Sequence, residues 1–146
     1  MWINLVTDSL PAIALGLEKE EENIMSRLPR NPKKNLFADG LWWKIMIEGA
    51  MLGMFTLLAF SIGNRLYSVE VGRTMAFLTL GILELVHSFN IKSEESIFKI
   101  GVLENKYLVG ALVLGVILQV IVVVVSPLAQ VFSLVPLTGI QWLYTV

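Results

Sequence analysis

The sequence predicts an all-α protein, a polytopic bundle of transmembrane helices with about five spans, of which the first and the last are incomplete. Hydrophobic residues make up 55% of the 146-residue chain and charged residues only 16%, below the roughly 25% that is usual in soluble domains. The apolar residues also gather in runs close to the roughly 20 residues that a helix needs to cross a bilayer. A lipid bilayer is therefore the predicted environment of this chain.

The apolar runs define the predicted spans in chain order. The clearest is 107–126, which ends at a Ser126-Pro127 stop. The run 74–89 is shorter and carries Glu84, and the runs at the two ends of the chain are partial spans. The five predicted spans are residues 2–17, 41–62, 74–89, 107–126 and 138–146.

Two polar segments, 18–39 and 91–105, are predicted to be cytosolic loops. Of the 11 Lys and Arg residues, nine lie within residues 18–44 or 91–106, and the other two are Arg65 and Arg73. Short loops rich in Lys and Arg stay on the cytoplasmic side of a membrane. The pattern is that of an integral, multi-pass membrane protein in which each span crosses once.

Charge and composition also exclude several classes of function. A formal net charge of −1 offers no general attraction for nucleic acid, so no nucleic-acid partner is predicted. The chain has no cysteine, which excludes disulfides, thiolate metal sites and cysteine nucleophiles. No catalytic residue and no cofactor-binding residue is predicted. A function that depends on charge must come from the few polar residues within the spans.

The first span carries a cluster of oxygen-bearing side chains. Asn4, Thr7 and Asp8 are spaced i, i+3 and i+4, which places them on one face within a helical turn. Calcium takes six to eight oxygen ligands, so this cluster supplies part of a shell. Pro11 lacks an N–H group, which frees a carbonyl near Thr7 that could become a further ligand. The alternative is an interhelical hydrogen-bonding patch, and the spacing leaves both open.

Three ionisable residues in the later spans also need an explanation. An ionised carboxylate at bilayer depth costs roughly 3 kcal/mol, so Glu84 favours a functional interpretation. His87 is predicted to make an interhelical hydrogen bond rather than to bind a metal. Glu48 follows Lys44 by four residues, so a helical ion pair or simple snorkelling accounts for it.

Residues 2–12, WINLVTDSLPA, resemble the sixth transmembrane helix of P-type calcium ATPases of the sarcoplasmic/endoplasmic reticulum type. Residues 24–33 resemble the cytosolic loop that follows that helix, so the similarity continues downstream. Further matches are Gly49 and Gly53 in the seventh helix, Glu84 six residues before Asn90 in the eighth, Pro127-Leu128 in a connector and Gln141-Trp142-Leu143 at the start of the tenth. The resemblance covers essentially the whole chain and indicates a bacterial member.

The resemblance implies metal ligands in this chain, because side chains of the sixth and eighth helices bind calcium in that family. The matching residues are Asn4, Thr7, Asp8 and Glu84. Ser9 stands where animal pumps usually carry glycine, but a small residue still permits an unwound turn. Sodium/potassium pumps tend to have an acid where Asn4 stands, so calcium is favoured over sodium, potassium or protons.

The resemblance also implies that the chain works only as part of a larger pump. Calcium would be the transported ion, and ATP and magnesium would be bound by the full-length protein alone. The phosphorylated Asp-Lys-Thr-Gly motif, the nucleotide-binding domain and the fourth and fifth helices are missing here, so this fragment should be inactive. The expected partners are the lipid bilayer and the missing N-terminal membrane helices and cytosolic domains. The expected location is a bacterial plasma membrane.

Two alternatives stay open at this point. One is a pump of the same family for another cation, such as manganese, sodium or protons. The other is a non-enzymatic membrane module that binds a partner through the GxxxG face formed by Gly49 and Gly53.

Overall fold

A computed structural model describes residues 4–17, 40–92 and 106–145, with the backbone alone for Asn4, Val6 and residues 89–92. Within these ranges the chain is helical and contains no strand, which confirms the predicted all-α class. The helices are a π-helical turn (Asn4–Asp8), α1 (Ser9–Gly16), α2 (Leu41–Leu66), α3 (Val69–Lys92), α4 (Lys106–Val124), α5 (Ser126–Val131) and α6 (Gly139–Thr145).

Among the described residues, two helices are long and apolar enough to cross a membrane, namely α2 with 26 residues and α4 with 19. They correspond to the predicted spans 41–62 and 107–126. α4 ends at Val124 because Ser126 and Pro127 begin the short helix α5. Proline is favoured in a first helical turn and cannot donate the hydrogen bond that would continue α4.

The other three predicted spans are not confirmed as membrane crossings. The run 74–89 lies inside α3, which is longer than predicted and carries charged residues at both ends. Residues 9–16 and 139–145 form the short helices α1 and α6. The predicted loop 18–39 lies outside the described residues, and so does 93–105, whereas residues 91–92 continue α3 rather than belonging to the loop.

Helices α2 and α3 form a tight antiparallel hairpin. Only Tyr67 and Ser68 separate them, and the N–H of Val71 donates to the Ser68 hydroxyl at 3.3 Å, which caps the start of α3. A Cβ atom on Gly63 would lie 2.6 Å from the Cα atom of Gly72. The two backbones are therefore so close at the turn that no side chain fits between them.

The first turn of α3 also holds an exposed carboxylate. The pKa of Glu70 lies below its usual value because a backbone N–H and the Ser68 hydroxyl hydrogen-bond to the charged form, and Arg73 adds a favourable charge. This end of α3 lies outside the predicted span, where water can solvate these groups.

Helix α3 is the centre of the described bundle, since it packs against α2, α4, α6 and the π-helical turn. Two of its threonine hydroxyls form hydrogen bonds with the C-terminal segment. The Thr74 hydroxyl accepts a hydrogen bond from the N–H of Val135 at 3.0 Å, and the Thr79 hydroxyl donates to the carbonyl of Thr145 at 3.1 Å. The apolar core beside these contacts consists of Leu78, Val122, Val123, Ala129 and Leu134.

A second apolar cluster positions the first segment of the chain. Ala14 of α1 packs with Leu108 and Ala111 of α4, and all three side chains are buried. This contact places the π-helical turn, which precedes α1, beside the middle of α3.

Candidate cation site

A hydrogen bond joins two of the predicted ligands across the bundle. The Thr7 hydroxyl donates to Oε2 of Glu84 at 2.7 Å, although the two residues are 77 positions apart in the chain. Thr7 is 2% exposed and Glu84 is partly buried. The π-helical turn and the middle of α3 therefore bring a hydroxyl oxygen and a carboxylate together within the bundle.

The backbone around Thr7 departs from α-helical geometry. Residues 4–8 form a π-helical turn, and the α-helix begins only at Ser9, two residues before the buried Pro11. π-Helical turns are rare and occur frequently at functional sites. The irregular backbone includes Thr7, near which Pro11 is predicted from the sequence to leave a carbonyl without a partner.

The other two predicted ligands are not brought to Glu84 by the described contacts. Asp8 is exposed, although it follows the buried Thr7 directly. The Asn4 side chain lies outside the described part of the structure. The neighbours Thr7 and Asp8 thus present their oxygens to different surroundings.

The chemistry of the pair suits a hard cation. A carboxylate and a hydroxyl supply oxygen atoms, which calcium prefers over nitrogen or sulfur. The described residues contain no group of three or more His, Cys, Asp or Glu side chains placed to hold a metal. Calcium requires six to eight oxygens, so these residues supply part of a coordination shell.

A second polar contact joins α3 to α2. The Nε2 atom of His87 lies 3.5 Å from Oε2 of Glu48, and the Nδ1 atom of His87 is buried without a hydrogen-bond partner among the described residues. His87 thus faces a residue of another helix, as its predicted interhelical role requires. The spacing along the chain pairs Glu48 with Lys44 on α2. It does not predict the contact between Glu48 and His87, which are 39 positions apart.

Sequence reasoning assigned no role to Gln119. Its side chain is fully buried, and neither amide atom has a hydrogen-bond partner among the described residues. The available signal was its isolation as a strongly polar residue in the middle of the apolar helix α4.

Comparison with known proteins relates the whole chain to one family. Residues 1–146 match the family described as "Cation transporting ATPase, C-terminus". The chain is 38% identical to a calcium-transporting ATPase of Bacillus subtilis, covering 100% of this chain and 17% of the relative. It is 37% identical to calcium-transporting ATPase 1 of Bacillus cereus, covering 97% of this chain and 18% of the relative.

A third relative extends this pattern. The chain is 35% identical to a calcium-transporting ATPase of Listeria monocytogenes, covering 97% of this chain and 16% of the relative. The chain thus spans about a sixth of the length of these relatives. It belongs to the family of cation-transporting ATPase C-termini and is the C-terminal membrane part of a P-type ATPase.

Proposed function

We propose that this chain is the C-terminal membrane part of an ATP-driven calcium pump and supplies part of its intramembrane cation site. The observation that carries the proposal is the hydrogen bond from Thr7 to Glu84, which unites two predicted ligands from distant parts of the chain. Relatives described as calcium-transporting ATPases support calcium as the ion. The remaining ligands would come from Asn4, Asp8 and helices elsewhere in the pump.

Each half of the pair has a distinct role in this proposal. Glu84 supplies the negative charge that offsets the lost hydration of a divalent ion. The Thr7 hydroxyl donates to one carboxylate oxygen and holds it in place, and a hydroxyl oxygen is also of the type that binds calcium. Oxygen ligands from two separate segments allow the site to change when one segment moves, which a transport cycle requires.

The rest of the chain serves as scaffold in this proposal. The five segments 2–17, 41–62, 74–89, 107–126 and 138–146 cross the membrane, and the loops 18–39 and 91–105 face the cytosol. The exposed apolar surface of α2 and α4 meets lipid and the N-terminal membrane helices of the same pump. ATP and magnesium bind to the cytosolic domains of the full-length protein.

ATP-driven uptake of calcium-45 into sealed membrane vesicles tests this function in the full-length pump. We expect Glu84→Gln and Asp8→Asn to abolish most uptake while the amount of protein in the membrane stays normal. Thr56→Val is a matched control, because among the described residues the Thr56 hydroxyl bonds to the Leu52 carbonyl of its own helix α2. Undiminished uptake in both carboxylate variants would contradict the proposed site.

The same vesicles distinguish calcium from the other cations of this family. If ATP drives uptake of manganese, or movement of protons or sodium, but no uptake of calcium, the transported ion is that other cation. Loss of such a flux in Glu84→Gln would still assign the site to this chain.

A further inference from the structure

The feature that the proposed site leaves unexplained is the buried amide of Gln119. The residue lies in α4 with a relative exposure of 0%, and both Oε1 and Nε2 lack a hydrogen-bond partner among the described residues. A polar group buried without a partner costs free energy. Leucine would fill similar space without that cost, so packing stability does not account for glutamine here.

The amide end of Gln119 occupies a notch in α3. A Cβ atom added to Gly81 would overlap Nε2 of Gln119 and would lie 2.8 Å from its Cδ atom. The two helices can approach this closely only because residue 81 has no side chain. The Gln119 side chain therefore packs against the backbone of α3 at Gly81.

A matching contact lies one turn further along α3. Here the roles are reversed, since α4 contributes the glycine and α3 the side chain. A Cβ atom on Gly115 would lie 2.7 Å from Cδ2 of Leu85, which is fully buried. The antiparallel helices thus interlock at two points, Gly81 with Gln119 and Leu85 with Gly115.

The two interlocking contacts lie on either side of Glu84. Gly81 precedes it by three residues, which is almost one helical turn, and Leu85 follows it directly. Any rotation or translation of α3 that disturbs these contacts also moves the Glu84 carboxylate relative to Thr7. Functional sites that depend on precise geometry lose activity when a supporting contact is displaced by about 1 Å.

We infer that Gln119 is a positioning residue for the cation site, because its amide, seated against Gly81, holds α3 in the register that directs Glu84 to Thr7. The inference rests on the proposed function. Gln119 itself touches no cation in this account and acts through α3.

The calcium dependence of ATP hydrolysis by the full-length pump tests this inference. The variants are Gly81→Ala, Gln119→Ala and the double variant that combines them. Gly110→Ala on α4 is the matched control, because a Cβ atom there would meet no described heavy atom within 4 Å. Glu84→Gln is included to test the proposed site separately.

The inference predicts a specific pattern of calcium affinities. Gly81→Ala raises the calcium concentration for half-maximal hydrolysis roughly fivefold or more, and Gln119→Ala raises it about twofold. In the double variant the value returns close to that of Gln119→Ala, because the new methyl group no longer meets the amide. Gly110→Ala leaves the value unchanged.

Other outcomes overturn the inference. A purely structural contact would lower the amount of pump and its maximal rate without moving the half-maximal calcium concentration. An unchanged value in Gly81→Ala would mean that the Gln119 side chain simply swings aside. If Gly81→Ala fails to accumulate, an unchanged value in Gln119→Ala contradicts the inference.

The Glu84→Gln variant distinguishes failure of the proposed cation site from failure of the positioning role of Gln119. A normal calcium dependence in Glu84→Gln contradicts the proposed site itself. A shifted dependence in Glu84→Gln together with a normal one in Gly81→Ala contradicts only the positioning role of Gln119.

Discussion

Helices α2 and α3 pack side by side as a hairpin, yet the side chains of α2 are mostly exposed and several large ones of α3 are fully buried. In the most apolar 18-residue window of α2 only 6% of the residues are buried within the described chain, and large side chains such as Trp43 and Leu57 are exposed. Helix α3 is less apolar, but Met75, Leu78 and Leu85 are fully buried. The more apolar helix thus keeps its surface exposed within the described chain, whereas the more polar helix organises the bundle.

The threonine hydroxyls of the two helices show the same contrast. On α3 the hydroxyls of Thr74 and Thr79 bond to other segments, and Glu84 accepts a hydrogen bond from Thr7. On α2 the Thr56 hydroxyl bonds to its own backbone. Polar residues on α3 therefore join segments, and this explains why a helix with a weaker membrane signal occupies the centre.

Truncation of one leucine on each helix sharpens this comparison most. Leu78→Ala on α3 should lower the free energy of unfolding by about 2 kcal/mol or more, because it leaves a cavity in the core. Leu57→Ala on α2 should cost far less, since Leu57 is 66% exposed. Thermal inactivation of the full-length pump in detergent compares the stability of the two variants with that of the unmodified pump. A large loss in Leu57→Ala would show that other parts of the pump cover this face of α2.

The turn between the two helices provides a second test. Gly63→Ala should destabilise the pump by roughly 1–3 kcal/mol, because its methyl group would meet the backbone of Gly72, which cannot move aside as a side chain can. Limited proteolysis and thermal inactivation detect the loosened hairpin. Normal stability of this variant would contradict the close backbone contact.

The hydrogen bond between the first segment and α3 should have a smaller effect. Thr7→Val removes the donor to Glu84 and should weaken calcium binding by about 1 kcal/mol, a change of about fivefold. Thr7→Ser keeps the hydroxyl and should retain most of the affinity. If valine and serine behave alike in a calcium titration of ATP hydrolysis, the hydroxyl has no role in the site.

The smallest expected effect concerns the cap of α3. Ser68→Ala removes the hydroxyl that accepts the Val71 N–H and should cost about 1 kcal/mol or less in stability. Calcium affinity should not change, because the cap lies four turns from Glu84. A shift in the half-maximal calcium concentration would show that the start of α3 is coupled to the site.

Much of this organisation could be predicted from the sequence. Hydrophobic runs of spanning length located α2 and α4, and the Ser126-Pro127 pair located the end of α4 to within two residues. Long-range contacts could not be predicted in this way, because periodicity reports one helix at a time. The pairing of Glu48 with His87 and the seat of Gln119 at Gly81 depend on how two helices meet.

The candidate site shows the same division. The cost of a carboxylate within a span singled out Glu84, and the polar cluster singled out Thr7, but neither signal indicates that the two residues bond to each other. The spacing also groups Thr7 with Asp8, whereas one is buried and the other exposed. The packing of α1 against α4 decides which oxygen faces α3.

Equilibrium binding of calcium-45 to the full-length pump without ATP tests the central claim most directly. The comparison is between Glu84→Gln on α3 and Glu48→Gln on α2, which make the same chemical change on adjacent helices. We predict that Glu84→Gln weakens binding at one or more sites by about 2 kcal/mol or more, roughly thirtyfold, while Glu48→Gln binds calcium like the unmodified pump. Unchanged binding in Glu84→Gln, or an equal loss in both variants, would contradict the claim that Glu84 belongs to the cation site.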